Sequence, residues 1–308
     1  MASAAHKDII REIKNSKNRF LAIMVLSALA VAFLCGLKVT APDMKGTGDD
    51  YLDDRRLMDI QVMSTLGITE QDVEELASRE EIDYAVGAYV MDAWAGDSVA
   101  KVLSITEEVN KLILMEGRLP VVSRECVVDE KILAKLDLSI GDTLPIVPSE
   151  DNRDSLIYDD FRIVGTVRSP YYISVERGSS SIGSGSVQGY VYLKENAFNM
   201  DCYTIAYLKA KGAEELTAFT DEYDDYIEAV IDALEPMGEE RAQLRHDEII
   251  DEAMEKIAEA EQELADAEKE VADKIAEAEQ ELADARKKLD NGWYEYRKGK
   301  KDLEEAHD

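Results

Sequence analysis

Catalytic chemistry needs particular residue types close together, and this sequence offers few such sets. Acidic side chains are the most abundant, with 66 Asp and Glu in 308 residues, so a nearby pair of carboxylates is expected by chance alone. Three histidines and three cysteines are thinly scattered along the chain, which argues against a zinc site or a disulfide framework. Neither a GxSxG nor an HExxH motif occurs. We therefore predict no catalytic site, no metal site, no cofactor and no enzymatic activity.

The remaining chemical candidates have simpler structural explanations. Cys126 and Cys202 lie in strand-like surroundings, where a cysteine is usually a small buried apolar residue. Residues 178–187 are rich in Gly and Ser but lack the GK[ST] ending of a phosphate-binding loop, which predicts a flexible loop. Tyr171 and Tyr172 follow a proline, and we expect them to pack a loop onto a sheet.

Charge is distributed unevenly along the chain. The net charge is -31, from 35 basic and 66 acidic residues. Residues 1–38 carry six basic and two acidic side chains, or +4, so the other 270 residues carry 29 basic and 64 acidic ones, or -35. A surface this negative repels phosphate backbones, which excludes general nucleic-acid binding.

An uncharged run of eighteen residues, FLAIMVLSALAVAFLCGL, begins at Phe20. As a helix it would extend about 27 Å, close to the hydrocarbon thickness of a bilayer. We predict a transmembrane helix at 20–38 that anchors the chain in the cell membrane. Because basic residues precede it and acidic ones follow, the N-terminus is predicted to be cytoplasmic and the bulk of the chain extracytoplasmic. A cleaved signal peptide and a buried core helix are the alternatives.

Short segments flank the predicted span. Residues 1–19 form a basic cytosolic stub whose isoleucines, Ile9, Ile10 and Ile13, have helical spacing. This amphipathic pattern suits the inner membrane surface. The stub is either a topogenic basic flank, the interpretation that we favour, or a helix that docks a partner. Residues 39–56 are predicted to be a linker.

Residues 57–235 mix strand and helix patterns, which predicts an α+β extracytoplasmic core domain. Residues 58–63 alternate like a half-buried strand, and Thr69 with Asp72 is an acidic near-match to a capping box that opens a helix. Further strands are predicted at 84–93, 100–105, 126–129, 161–167, 189–193 and 204–209, and after a turn at Gly141. Helices are predicted at 130–136 and at 213–234, the latter presenting Leu216, Phe219, Tyr223, Ile227 and Val230.

Residues 236–308 have the pattern of a coiled-coil helix. The sequence KIAEAEQELADA occurs at 256–267 and again at 274–285, an offset of five helical turns. Large apolar residues recur every seven positions, with one four-residue step, or stutter, between Val271 and Ile275. These residues, which we call the seam, are predicted to bind a partner helix; they are Ile250, Ile257, Leu264, Val271, Ile275, Leu282, Leu289, Tyr296 and Leu303.

The partner of the seam is a second coiled-coil helix, because a helix with one narrow apolar stripe gains little stability alone. We favour an antiparallel hairpin with a helix further along a longer chain. A homodimeric coil is the second interpretation, and a single solvated helix is the third.

Several stretches resemble a known family when their order is considered together. They are KVTAPDM at 38–44, LMDIQVMSTLGIT at 57–69, EGRLP at 116–120, ECVVDEKILAKLDLSIGDTL at 125–144 and FRIVGTV at 161–167. With the preceding span, they resemble the N-terminal portion of an FtsX-like ABC transporter permease of the MacB-like kind, in the subtype with an external coiled coil. The resemblance covers nearly the whole chain. It implies a porter-like, ferredoxin-like external subdomain and a second, smaller subdomain.

The resemblance also implies a function. A cytosolic ABC ATPase subunit would be the partner, and the external part would couple it to export or mechanotransmission at the outer face. Family members have three or more further spans, whereas this sequence has one apolar run. The alternative is a single-pass cell-surface protein whose coil serves adhesion or oligomerisation. A secreted hydrolase would need an acid/base pair that the sequence does not reveal.

Overall fold

The computed structural model describes residues 2–174, 177–183 and 185–305. The α-helices in this part of the chain are α1 (Ala2–Asn15), α2 (Lys17–Asp54), α3 (Glu70–Ala77), α4 (Glu130–Leu136) and α5 (Asp221–Glu305). The β-strands are β1 (Ile60–Ile68), β2 (Ile82–Ala88), β3 (Val90–Ala95), β4 (Ser98–Ser104), β5 (Ile113–Gly117), β6 (Glu125–Val128), β7 (Thr143–Pro148), β8 (Asp160–Arg168), β9 (Gly189–Leu193) and β10 (Tyr203–Ala210). An apolar N-terminal helix, a β-rich core and a long C-terminal helix confirm the predicted α+β class.

The predicted membrane span lies inside one longer helix. α2 begins at Lys17, just before the uncharged run, and ends at Asp54. Among the described residues it is the one helix that is long and apolar enough to cross a membrane. None of its residues is buried, so the whole apolar run presents its side chains outward, as a lipid-facing helix would.

Residues 39–54, predicted to form part of a linker, are helical. Pro42 lies inside α2, although proline has no N–H to donate to the preceding turn. The Thr40 hydroxyl donates to the Gly36 carbonyl at 2.8 Å, which adds a side-chain bond one turn away. Pro42 and the glycines after it locally favour a loop, but contacts between the end of α2 and the core, described below, stabilise the helix.

A three-stranded antiparallel sheet forms the first layer of the core. Its strand order is β1-β10-β2, so the first and last strands of the core lie side by side. Helix α3 and the first turns of α5 supply the apolar side chains that pack with it. The buried members of this cluster include Ile60, Ile68, Leu76, Ile82, Ala206, Leu208, Ile227, Val230, Leu234 and Met237. The β1-α3-β2 unit and the β10-α5 unit are therefore held together by one hydrophobic core.

The second layer is a mixed sheet that closes on itself. Its order is β5-β8-β6-β9-β4-β3-β7, and β7 also pairs with β8. Six strands from β8 to β7 therefore form a ring, while β5 pairs with the remaining edge of β8. Helix α4 contributes Ile132 to the buried core of this layer, beside Phe161 and Ile163. With seven strands, this sheet, which we call the barrel, is larger than the three-stranded one; the division into a porter-like subdomain and a second, smaller one stays a prediction.

The strand predicted at 84–93 is two strands that belong to different sheets. β2 ends at Ala88 and β3 begins at Val90. Tyr89, between them, stacks on Phe198 at 4.9 Å between ring centroids and contacts Tyr203 at 5.1 Å. A continuous run of strand-forming residues carries no sign of this change of sheet, because both halves have the same local pattern.

Helix α5 begins later than predicted. Residues 213–215 form a short 3₁₀ turn, so Leu216 and Phe219 precede the helix instead of lying on it. The Thr220 hydroxyl accepts a hydrogen bond from the Tyr223 N–H at 3.3 Å, which satisfies one free donor of the first turn. Ile227 and Val230 are buried on α5 as expected.

The compact core continues past residue 235, where the sequence suggested a boundary. Leu234 and Met237 are both buried, although Pro236 lies between them inside the helix. The Arg241 guanidinium donates to the Asp72 carboxylate at 2.6 Å. One compact unit ends at Ala242, and a second begins at Gln243.

The capping box predicted at Thr69 is present and is reinforced by Arg241. The Asp72 carboxylate accepts the Thr69 N–H at 2.8 Å and the Thr69 hydroxyl at 2.7 Å, and the Thr69 hydroxyl accepts the Asp72 N–H at 3.2 Å. Burial alone would raise the pKa of the Asp72 carboxyl, but the bonds from Thr69 and Arg241 outweigh it and lower that pKa.

We predict that Asp72→Asn lowers the free energy of unfolding by about 1–3 kcal/mol at neutral pH, because a charge-assisted cap is lost. A lowered folded-state pKa stabilises the fold above the ordinary Asp range and is lost as the pH falls through the folded value. The difference between wild type and variant should therefore shrink on acidification. Denaturant unfolding at several pH values measures it. Glu74→Gln, an exposed carboxylate on the same helix, is the control, and a pH-independent difference would contradict the prediction.

Candidate membrane-proximal joint and coil seam

Hydrogen bonds connect the end of α2 to the segment that precedes α5. The Lys45 ammonium donates to the Phe219 carbonyl at 2.5 Å, and the Asp49 carboxylate accepts the Ala218 N–H at 2.6 Å. Phe219 has a φ of +65°, a left-handed conformation that is uncommon for a bulky side chain. These bonds hold the strained residue in place, so the last turns of the membrane helix and the start of α5 share one connection.

Asp59 is the centre of a buried polar network just after α2. Its carboxylate accepts hydrogen bonds from the Lys209 ammonium at 2.8 Å, the Tyr223 hydroxyl at 2.9 Å and the Ala210 N–H at 2.8 Å. The side chains of Asp59 and Lys209 are 4% and 9% exposed. Lys209 also donates to the Leu57 carbonyl at 3.1 Å. Three elements therefore meet at one carboxylate: the segment after α2, strand β10 and helix α5.

The chain between α2 and β1 is bound to the barrel layer as well. Arg56 adopts a left-handed φ of +47°, and its carbonyl accepts the Asn110 N–H at 2.9 Å. The Asn110 side-chain oxygen in turn accepts the Met58 N–H at 3.0 Å. We call the contacts of residues 45–59 with 110–111, 209–210 and 218–223 the joint. Through it, the end of α2 contacts the segment before α5, and the segment that follows α2 contacts β10, α5 and the loop between β4 and β5.

Several charged side chains lie close together in the joint. Burial, with the nearby Asp49 carboxylate, raises the pKa of the Asp53 carboxyl, although Lys209 opposes the shift. Burial and the neighbouring Asp59 carboxylate raise the pKa of the Tyr223 hydroxyl. The Lys209 ammonium thus lies beside the Asp59 carboxylate and lowers the pKa of Asp53. Because a buried carboxylate without a partner is costly, we expect this ammonium to stabilise the charged site.

The seam lies on α5 as predicted by its spacing. All nine seam residues are exposed, from 39% for Ile250 to 74% for Leu303. Near its end, a groove forms over Gly292 between Leu289, Trp293 and Tyr296. The rings of Trp293 and Tyr296 meet edge to face at 5.7 Å. The unit that begins at Gln243 therefore presents a continuous apolar stripe to its surroundings, which leaves its pairing a prediction.

The other chemical candidates are structural. Cys126 is fully buried, and burial raises the pKa of its thiol to about 12, so the reactive thiolate is suppressed. The Tyr171 hydroxyl donates to the Gln61 side chain at 3.0 Å, and the ring of Tyr172 stacks on Tyr190 at 5.0 Å. Within residues 2–174, 177–183 and 185–305, no cluster of three His, Cys, Asp or Glu side chains is arranged to hold a metal ion.

Sequence reasoning missed the joint. The one available signal is Lys209, a charged residue in the apolar strand pattern YTIAYLKA. A lysine that lies in a buried strand must have a partner, but the partners Asp59 and Tyr223 are 150 and 14 positions away. Their approach depends on β1 pairing with β10, which the sequence pattern does not specify.

Comparison with known proteins finds 20 similar chains among the solved structures. No protein-family model and no curated protein matches the chain. The chain is similar to the extracellular domain of the noncanonic ABC-type transporter YknZ from Gram-positive bacteria, at 15% identity over 53% of this chain and 80% of that one, with a TM-score of 0.32. It is also similar to the periplasmic region of MacB from Actinobacillus actinomycetemcomitans, at 14% identity over 56% and 75%, with a TM-score of 0.29.

We predict that Asp59 and Lys209 stabilise the fold as a coupled pair. Lys209→Met alone should cost about 3–5 kcal/mol of unfolding free energy, because it leaves a buried carboxylate unpaired. Asp59→Asn combined with Lys209→Met should cost at least about 1 kcal/mol less than the sum of the single changes. Denaturant unfolding of the full chain in detergent gives the four values of this cycle.

The matched control is the pair Glu270 and Lys274, which are 2.6 Å apart but about two-thirds exposed on α5. Their coupling energy should be close to zero, because water screens the charges. Additive effects at Asp59 and Lys209 would show that the joint is not a coupled network.

Proposed function

We propose that the chain is a membrane-anchored permease subunit, or the N-terminal part of one, in an ABC transporter of the FtsX-like, MacB-like kind. Its extracytoplasmic part couples a cytosolic ATPase to export or mechanotransmission at the outer face. The observation that carries the proposal is the joint, because it connects the end of the membrane helix, and the segment that follows this helix, to β10 and the first turns of α5. No enzymatic chemistry is assigned to the chain itself.

The first support is the continuity of α2. A helix transmits displacement along its axis because its backbone hydrogen bonds connect every turn. α2 runs from Lys17 through the apolar run to Asp54, inside the joint, and lacks a backbone hydrogen bond only where Pro42 has no N–H to donate. Basic residues lie at its start and acidic residues near its end, which favours a cytosolic start. Movement imposed on its cytosolic end would reach Asp49 and Asp53 directly.

The second support is the composition of the joint. Asp59 accepts donors from β10 and from α5, and Asp49 binds the segment just before α5. Buried polar contacts have strict geometry, so they resist sliding in a way that apolar contacts do not. We infer that a displacement of α2 is passed to the first turns of α5 instead of being absorbed by a flexible linker.

The third support is the exposed seam, which offers a helix partner outside the membrane. Its apolar residues follow the spacing of a coiled coil. The same seam also favours the alternative function, a single-pass surface protein for adhesion or oligomerisation. The two functions differ in whether an ATPase accompanies the chain, and not in the membrane orientation.

The test is purification of the tagged full chain from its native membranes in mild detergent, with mass spectrometry of every stoichiometric companion. We expect an ABC ATPase subunit to be retained, and we expect the chain to keep its N-terminal segment. Leu264→Asp with Leu282→Asp is the matched variant. Because these residues lie outside the membrane, the ATPase should be retained equally by the variant.

Two results would contradict the proposed function. If no ATPase is retained, and cells aggregate through the wild-type chain but not through the variant, the adhesion function replaces the permease. Loss of the first 41 residues from the mature chain would show a cleaved signal peptide and would remove the anchor on which the proposal depends.

A further inference from the structure

Small residues lie three positions after six of the seven seam residues from Ile250 to Leu289; the exception is Val271, which Lys274 follows at that spacing. These companions are Ala253, Ala260, Ala267, Ala278, Ala285 and Gly292, and all are exposed. The stutter between Val271 and Ile275 divides the seam into two halves with the same order of large and small residues. This arrangement makes the coil complementary to a reversed copy of itself.

The residues that would face each other in such a pair of helices follow from the sequence numbers. If a second copy lies antiparallel with Val271 facing Val271 of that copy, residue i faces residue 542 − i, since 271 + 271 = 542. The facing pairs are then Ile250 with Gly292, Ala253 with Leu289, Ile257 with Ala285, Ala260 with Leu282, Leu264 with Ala278, and Ala267 with Ile275. Every such pair joins one large side chain to one Ala or Gly, which lets facing layers interdigitate closely. A two-fold axis requires this reciprocity.

The stutter disfavours the two neighbouring heptad registers. A shift of one heptad in one direction makes facing residues sum to 549 and places Ile275 opposite Lys274. The opposite shift makes them sum to 535 and places Leu264 opposite Val271, two large residues, and Ala267 opposite Glu268. Either shift therefore buries a charge in the seam, and one of them also overpacks it.

The groove over Gly292 fits this register. It is lined by Lys288, Leu289, Trp293 and Tyr296, and Gly292 adds no side chain to it. The residue that faces Gly292 is Ile250, which is large, branched and 39% exposed. In a coiled coil, such a residue fills the hole formed by the facing helix.

Charge distinguishes antiparallel from parallel pairing. Residues 243–256 carry five acidic and two basic side chains, or -3, and the facing residues 286–299 carry two acidic and five basic ones, or +3. Opposite charges thus meet at both ends of an antiparallel pair, whereas a parallel pair would bring like charges together. The central residues 257–285 carry eleven acidic and two basic side chains, or -9, and repel each other in either arrangement.

We propose that the seam binds a second copy of this chain as an antiparallel coiled coil centred on Val271. The inference rests on the proposed function, since it names the partner of the same seam. Central repulsion makes the pairing sensitive to salt, because ions screen exposed charges within about 10 Å at 0.1 M ionic strength. Association should therefore strengthen as the salt concentration rises.

Cysteine cross-linking of the full chain in detergent tests the register. The background carries Cys35→Ser and Cys202→Ser and retains the fully buried Cys126. Chains with Leu264→Cys and chains with Ala278→Cys, bearing different tags, are mixed and mildly oxidised. We expect a disulfide between the two tags, with the cross-linked fraction rising several-fold from about 0.05 M to about 0.5 M NaCl. Leu264→Cys chains alone should not cross-link.

The matched control replaces Lys269, which lies on the face of α5 opposite the seam, with Cys; its mixture with Ala278→Cys should stay uncross-linked. Preferential cross-linking of Leu264→Cys to itself would mean a parallel coil and would overturn the proposal. Equal cross-linking by the Lys269→Cys control would mean non-specific association, with the same consequence. A chain that stays monomeric at high salt would also overturn it, while the ATPase experiment would still decide the proposed function.

Discussion

The structure depends on a buried carboxylate, Asp59, at the point where the chain from the membrane enters the core. Its three donors come from β10 and α5, and Lys209 supplies a positive charge 2.8 Å from it. Because a buried charge must keep its partner, the first strand, the last strand and the first turns of α5 are held in one arrangement. The strand order β1-β10-β2 agrees with this arrangement, because it places the first and last strands of the core side by side. The barrel is inserted between β2 and β10 without disturbing it.

Two other features extend from this point in opposite directions along the chain. Toward the N-terminus, α2 carries an uncharged run between a basic start and an acidic end, which is the pattern of a membrane anchor with its start in the cytosol. Toward the C-terminus, α5 carries the seam, whose nine large apolar residues are all exposed. In the function that we propose, α2 would receive motion and α5 would use it, and the joint lies between them.

Local sequence signals predicted the elements whose stability is local. Thr69 and Asp72 formed the expected capping box, Cys126 is buried in a strand, and helix 130–136 has the predicted bounds. Residues 39–54 became helix against the signals of Pro42 and the nearby glycines, because tertiary contacts outweigh weak propensities. At Tyr89 the chain changes from one sheet to the other, again because tertiary contacts, here the stacking of Tyr89 on Phe198, outweigh the local strand pattern.

The joint could not be predicted, since its members are far apart in sequence and meet only after strand pairing. The seam, in contrast, depends on a repeat within one helix, so spacing alone located it. The difference lies in how far apart in sequence the residues in contact are. Periodicity shows which residues share one face of a helix or strand, whereas a buried network can be predicted only when it is known which elements are neighbours.

Hydrogen–deuterium exchange of the full chain in detergent tests the central claim most directly, with wild type compared to Asp59→Asn. If the joint connects the membrane helix to the coil, amide exchange should accelerate together in residues 45–54 of α2 and residues 221–230 of α5, although these segments are far apart in sequence. Faster exchange confined to β1 and β10, with the end of α2 unchanged, would contradict the account.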